Sequence, residues 1–320
     1  MSQMEHMSAM AARDHGGGLD AAIARYGGQF ADWLDLSTGI NPVPYPVAAP
    51  EARDWTALPD RVAQTALTDA ARSFWRVPDQ VAILAAPGAS ALIARLPGLF
   101  PAGQVVIETP TYNEHAAGFS AAGWQVTGTG PADARVMVHP NNPDGRIWQA
   151  RDIDTPFTVI DESFCDVMPE ASLIEQAAQP GCIVLKSFGK FWGLAGLRLG
   201  FAMALPATIE RLAEMLGPWP VSGPALRIGA HALNDHDWAD TTRARLACDA
   251  ARLDRIMGQA DVQITGGTDL FRLYSVRDAA ALQDRLARHH IWTRIFPYSD
   301  HLIRLGLPPA DGWAQIEAAL

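Results

Sequence analysis

From about residue 60 to residue 205 short apolar runs alternate with stretches of helical periodicity. VAILAA (81–86), QVVIE (104–108), RVMVH (135–139), FTVID (157–161), CIVLK (182–186) and LGFAMA (199–204) each read as a strand. A strand with one face in water alternates polar with apolar residues, whereas several of these runs are apolar throughout and must be covered on both faces. Helices predicted over Arg61–Trp75, Ser90–Leu96 and Asn113–Ala122 supply the cover. The expected fold class is therefore α/β, a large doubly wound, mostly parallel sheet domain. Beyond it, residues 206–255 are mostly helical. DVQITGG, TDLFRLYSV, a helix at Asp278–His289, IWTRIFP, HLIRLGLP and a last helix then predict a smaller α+β unit. The Gly- and Pro-rich start has one helical stretch, Gly18–Tyr26. The expected division is 1–45 as an arm and part of the small domain, 46–215 as the large domain, and 216–320 as the C-terminal small domain.

Composition excludes several classes of partner. With 48% hydrophobic and 19% charged residues the chain is ordinary for a globular protein, and its net charge of −10 argues against nucleic acid or an anionic membrane. A few arginines can still make a local anion pocket. Cys165, Cys182 and Cys248 are widely spaced, with no CxxC, and read as buried thiols of a reducing compartment. The opening MSQMEHMSAMAARDHGGG lacks the basic and apolar regions of a secretory signal. Pro87, Arg95 and Pro97 interrupt the longest apolar stretch before it reaches membrane length. A cytoplasmic protein without a membrane partner is expected.

The chain has 25 basic residues, of which only Lys186 and Lys190 are lysine. An arginine-favouring codon bias explains the other 23, since arginine suffices wherever only charge is needed. Arginine keeps its proton and cannot act as an amine nucleophile, whereas lysine can. A retained lysine therefore suggests a Schiff base, for which pyridoxal phosphate (PLP) is the leading cofactor. Lys190 follows Ser187-Phe188-Gly189 in a turn, where an amine can project into a cleft; Lys186 ends a strand and is expected to be structural or exposed.

Other motifs are modest one at a time. Gly88, Ala89 and Ser90 turn a strand into a helix, where free N–H groups suit a phosphate, though an ordinary capped helix looks the same. Tyr112, after TPT, could lie on a flat ring or simply pack in the core. Asn142, in HPNNPDG, could bond a phenolic oxygen or merely form an Asn-Pro turn. Asp161 ends a hydrophobic strand, where a carboxylate needs a partner; a protonated pyridine nitrogen or a helix N-terminus would serve. Arg198, eight residues after Lys190, could clamp a phosphate.

Taken together, Gly88–Ser90, Tyr112, Asn142, Asp161, Ser187, Lys190 and Arg198 resemble the constellation of the fold-type I PLP enzymes, the aspartate-aminotransferase superfamily, over essentially the whole chain. The resemblance implies Lys190 as the Schiff-base lysine, Asp161 on the pyridine nitrogen, Asn142 on the ring hydroxyl oxygen and Tyr112 stacked on the ring. It implies Ala89, Ser90, Ser187 and Arg198 around the cofactor phosphate. Arg304, in HLIRLGLP, matches an arginine for a substrate carboxylate, and Arg294, in IWTRIF, one found in members that act on phosphorylated substrates.

Within that superfamily HGGGLDAAIARYG, LDLSTGINPVPYP, APGASALI and SFGKFWGLAGLRLG resemble the threonine-phosphate decarboxylases of cobalamin biosynthesis, close sisters of the histidinol-phosphate aminotransferases. Gly39-Ile40-Asn41-Pro42 replaces the Asn-Glu-Asn-Pro type of segment usual in the sister, and Phe164 replaces its tyrosine three residues past the aspartate. Both departures favour decarboxylation over the alternative, a histidinol-phosphate-type transamination. On this resemblance His15 and Asn41 lie near a substrate phosphate, the substrate is a phosphorylated amino acid, and the protein is a homodimer. Gly189 and Leu58 depart from the pattern at a hydroxyl residue before the lysine and at a tyrosine reaching the neighbouring subunit's cofactor phosphate. No GxSxG elbow, GxGxxG or GxxxxGK[ST] loop occurs, which removes hydrolase and nucleotide-binding readings. His231, Asp235 and His236 read as a solvated helix end, so no metal is expected.

Overall fold

The computed structural model describes residues 14–260 and 262–320. Along the chain come β1 (Leu34–Asp35), β2 (Ala82–Ala86), β3 (Gln104–Ile107), β4 (Gln125–Thr127), β5 (Ala134–Val138), β6 (Phe157–Asp161), β7 (Cys182–Ser187) and β8 (Gly200–Ala204). The helices of this part are α1 (Leu19–Tyr26), α2 (Ala52–Thr56), α3 (Arg61–Trp75), α4 (Ala89–Ile93) and α5 (Asn113–Ala121). Then follow α6 (Pro206–Leu216), α7 (Gly223–Asn234), α8 (His236–Met257), β9 (Gln263–Thr268), β10 (Phe271–Ser275), α9 (Ala279–Arg288), β11 (Ile291–Trp292), β12 (Arg294–Phe296), β13 (Ser299–Gly306) and α10 (Trp313–Ala319).

Among the described residues seven strands form the main sheet in the order β2-β8-β7-β6-β5-β3-β4. All neighbours are parallel except β8, which runs against both β2 and β7. Successive side chains of a strand point to opposite faces, and in β7 both faces are core. Cys182 and Val184 pack with Trp75 and Leu67 of α3, Leu226 of α7 and Leu246 of α8. Ile183 and Leu185 pack on the other side with Leu92 of α4, Phe119 of α5 and Leu212 of α6. Each such buried aliphatic side chain contributes about 1.5–3 kcal/mol, which is why the run has no polar alternation. Two of the longer helices begin where a side chain accepts an otherwise unpaired N–H group: Asp60 from Ala63 N at 2.9 Å for α3, and Asp235 from Trp238 N at 3.0 Å for α8.

A second sheet, β12-β13-β10-β9, is antiparallel throughout. Leu34–Asp35 pairs parallel with Ile291–Trp292, so the N-terminal segment is stitched to the C-terminal unit. Two expectations shift. The helix predicted over Ser90–Leu96 ends at Ile93 and passes into a tight turn at Leu96–Leu99, because Pro97 offers no N–H and disfavours helix in the residue before it. Cys248 is exposed, unlike the buried Cys165 and Cys182. No described helix is long and apolar enough to cross a membrane.

Candidate active site

In an open parallel sheet, ligands sit beyond the carboxyl ends of the strands. Gly88 follows β2, Tyr112 follows β3, Asn142 follows β5, Asp161 ends β6, and Ser187 and Lys190 lie at the end of β7. Arg198 precedes β8, whose reversed direction brings its amino end to the same edge. A small cavity there is lined by Ala89, Ser90, Tyr112, Asn142, Asp161, Ser187, Lys190 and Arg198, together with Phe164 and Gly189. Gly88 has φ +83°, and a Cβ on it would stand 2.6 Å from Arg198 Nη2, so a glycine keeps the guanidinium against the turn.

The lysine turn is held from beneath. Phe188, Phe191 and Trp192 are fully buried, Phe188 stacks on Trp192 at 5.1 Å, and Trp192 on Trp238 at 5.2 Å. Lys190 itself looks outward, its Nζ 3.4 Å from the Thr38 carbonyl and 5.2 Å from the centre of the Phe164 ring. Burial, then the positive charge of Arg304, lowers its pKa to about 8. Lys186 behaves in the opposite way. It is 1% exposed, correcting the option of an exposed residue, with Nζ 2.6 Å from Glu162 and 3.5 Å from Asp166. Burial works against its charge, but the two carboxylates outweigh burial and raise its pKa.

Asp161 is 2% exposed, lines the small cavity and accepts three hydrogen bonds within the protein. One oxygen accepts from Ser163 N at 3.0 Å and Ser163 Oγ at 2.5 Å, the other from His115 Nε2 at 2.8 Å. Burial pushes its carboxyl up, yet the bonds from His115 and Ser163 prevail and leave it below the ordinary value. The carboxylate is thus anionic in a buried place, suited to a cationic ring nitrogen. His115 escaped the sequence reading. It lies three residues past Tyr112 on α5, and the signal that could have found it is the need of a buried strand-end carboxylate for a donor.

Tyr112, Asn142 and Lys190 also border a larger cavity of about 650 Å³, which adds Asp14, His15, Arg294, Tyr298 and Arg304. Arg294 and Arg304 are direct cross-strand partners of β12 and β13 and point into it together. Arg304 is 3% exposed and donates to Asn142 Oδ1 and to the Ser37 carbonyl, while its Nε has no partner among the described residues. Burial, then Arg294, lowers its pKa to about 9. Two like charges facing each other on a sheet are unfavourable unless an anion joins them. Arg294 Nη2 meets Asp14 Oδ2 at 2.7 Å, and His15 Nε2 lies 2.6 Å from Glu114. Asn41 does not line either cavity. Its Nδ2 donates to Phe191 O, its Oδ1 accepts from Val43 N and Arg245 Nη2, and its backbone N donates to Lys190 O, so it braces the lysine turn. His139, Glu162 and Cys165 cluster within 4.8 Å. Trp148 N and Ala171 O occupy the imidazole of His139, and Lys186, Ser172 and Leu173 occupy Glu162, so the cluster is structural.

Comparison with known proteins bears on the whole chain. The family described as aminotransferase class I and II matches residues 129–311. A threonine-phosphate decarboxylase of Sinorhizobium sp is 42% identical, with 95% of this chain and 98% of that protein covered. One of Pseudomonas aeruginosa is 39% identical, with 96% and 97% covered. Among solved structures, histidinol-phosphate aminotransferase from Sinorhizobium meliloti in complex with pyridoxal-5'-phosphate superimposes with a TM-score of 0.82 over 98% of both chains, at 20% identity. That likeness speaks to the fold alone.

Proposed function

The chain belongs to the aminotransferase class I and II family, and from that premise we propose that it is a PLP-dependent lyase acting on L-threonine O-3-phosphate. The products are CO2 and (R)-1-amino-2-propanol O-2-phosphate, for cobalamin biosynthesis. The observation that carries the reading is the junction of the two cavities at Tyr112, Asn142 and Lys190, with the paired arginines on the far side. Near-full-length relatives named threonine-phosphate decarboxylase support it.

The small cavity fits PLP on this chain's own chemistry. An amine with a pKa of about 8 faces it. A buried anionic carboxylate, Asp161, suits a protonated pyridine nitrogen. Asn142 spends its Oδ1 on Arg304, which leaves its Nδ2 as donor for a ring oxygen. Ala89, Ser90, Ser187 and Arg198 gather around Gly88 to take a phosphate, and Tyr112 offers a ring face. When bound, the cofactor supplies an electron sink for the pair left at Cα.

The rest of the work falls to side chains. Arg304 takes the substrate carboxylate and Arg294, beside His15, the substrate phosphate. Holding both ends of a short molecule fixes which Cα bond is activated, so remote binding energy selects loss of CO2 over loss of a proton. Lys190 Nζ can accept a proton from the substrate ammonium and return one to Cα, since both of its forms are populated near pH 8. Phe164 in the small cavity, with Phe296 and Pro297 in the larger one, keeps water from the reacting carbon.

On the same reading residues 46–215 form the cofactor domain, and 1–45 with 216–320 the small domain, supported by the pairing of β1 with β11. A cytoplasmic homodimer is supported by the free cysteines and by Trp55, Leu58 and Val62, apolar residues close in sequence and exposed at 68%, 66% and 77%. Mass spectrometry tests the reaction: PLP-loaded enzyme with L-threonine O-3-phosphate and no keto acid should turn over to the aminopropanol phosphate, and Lys190→Ala should not. A 2-oxo product in at most stoichiometric amount would instead identify a transaminase.

A further inference from the structure

The arginine pair of the larger cavity carries an internal counter-ion. Arg294 donates through Nη2 to the Asp14 carboxylate at 2.7 Å and to the Asp14 carbonyl at 2.9 Å, and Asn113 Nδ2 donates to that carbonyl at 2.7 Å. Two backbone bonds thus hold the segment at the cavity wall independently of the side chain. The carboxylate itself is 42% exposed, while the Arg294 side chain is 12% exposed and its Nη1 has no partner among the described residues. Arg304 stands directly across the strands with a further unpartnered N–H, its Nε. The cavity therefore presents one buried and one half-buried guanidinium, unused donors, and one modest anion that a stronger anion can replace.

We propose that Asp14 is an internal counter-ion, a built-in carboxylate that occupies the phosphate-binding face of Arg294 until a doubly anchored phospho-amino acid displaces it. The proposal rests on the assignment of Arg294 to the substrate phosphate. Its logic is competition. A ligand that must open a bridge closed about nine-tenths of the time binds about tenfold more weakly than to an open site. Inorganic phosphate meets that cost with one anion, and a phospho-amino acid meets it with two, because its carboxylate reaches Arg304 at the same time. The bridge lowers both affinities by the same factor, and the doubly anchored substrate, which binds more tightly, still fills the cavity at concentrations at which phosphate alone leaves it empty.

Calorimetric titration of the PLP-loaded enzyme with inorganic phosphate tests this, since the occupied cofactor site leaves the arginine cavity as the place of binding. Asp14→Asn keeps the size and both backbone bonds and removes the charge. It should bind phosphate about tenfold more tightly than the wild type, and phosphate should become a correspondingly stronger competitive inhibitor. Equal or weaker binding by Asp14→Asn overturns the role of Asp14. Arg294→Gln should lose the phosphate. If Arg294→Gln binds it as the wild type does, the phosphate subsite is itself misassigned and the proposal falls with it. If Arg294→Gln loses binding while Asp14→Asn gains none, the subsite stands and only the counter-ion role fails.

Discussion

Lys190 offers the sharpest test, because the chain has one other lysine and the two are driven in opposite directions. At pH 7.5 an amine with a pKa of about 8 is neutral roughly one time in four, against about one in a thousand at the ordinary lysine value. The neutral form is the nucleophile, so burial and the neighbouring arginines raise its supply by more than two orders of magnitude. Protein labelled with 13C at lysine Cε should give two side-chain resonances in the cofactor-free enzyme, the Lys190 signal being the one lost in Lys190→Arg. That signal should titrate with a midpoint near 8, and the Lys186 signal should stay silent through pH 10. Arg304→Met should move the midpoint upward but not fully back, since burial is the larger cause and the guanidinium the second. A wild-type midpoint above about 9.5, or one that ignores Arg304→Met, would refute the electrostatic account.

Removing the donor behind Asp161 should be felt at the cofactor. In His115→Leu the carboxyl loses a charge-assisted bond and its pKa rises, so the acid limb of the kcat profile moves to higher pH. Turnover at neutral pH should fall about ten- to hundredfold, the worth of such a bond, and an unmoved limb would assign His115 to packing alone. Lys186→Met leaves the Glu162 carboxylate buried without its 2.6 Å partner and should cost about 3–5 kcal/mol in urea unfolding. Lys186→Met/Glu162→Gln should recover part of that loss, and additive losses would argue against the pair. Phe164→Tyr would place a hydroxyl where the ring now lies 5.2 Å from Lys190 Nζ. If that hydroxyl reaches the cofactor's ring oxygen, the spectral pKa of the Lys190-bound cofactor should drop by about one unit, one added hydrogen bond being worth about 1–1.5 kcal/mol.

What the sequence made legible follows from where the information lies. Lys190, Asp161, Asn142, Tyr112 and Ser187 each sit at or just past the tip of a hydrophobic run, and a parallel sheet brings those tips to one edge whatever the details of packing. Features set by tertiary direction were harder to read. Asn41 lies in the right stretch of chain, but whether its amide faces the cavity or the lysine turn depends on the path of a loop, and it faces the turn. Strand β4 was missed because it has three residues, sits at the sheet edge and leaves Gln125 exposed, so no buried run announces it. The cross-strand meeting of Arg294 and Arg304 depends on the register of β12 and β13, which shifts between Ile295 and Phe296 and cannot be counted from spacing. Asp14 acquires meaning only once that meeting is known.

The two lysines show why residue type alone could not have assigned their roles. They are four residues apart and both largely removed from water, so burial penalises the charge on each. The end of the strand then separates them. Lys186, still within β7, points into the core beside Glu162 and Asp166, whose bonds to Ser172 Oγ, Leu173 N and the Trp75 and Trp192 indoles hold the carboxylates in place. Lys190, beyond the strand end, faces Arg304 and Arg198, with Asp161 committed to His115 and Ser163. One amine is thus kept charged and ties β6, β7 and the aromatic underside of the lysine turn together. The other loses its proton readily and is free to react. A chain that uses arginine for every other positive charge keeps lysine at these two places, and only at Lys190 does the environment make the difference between the two side chains chemical.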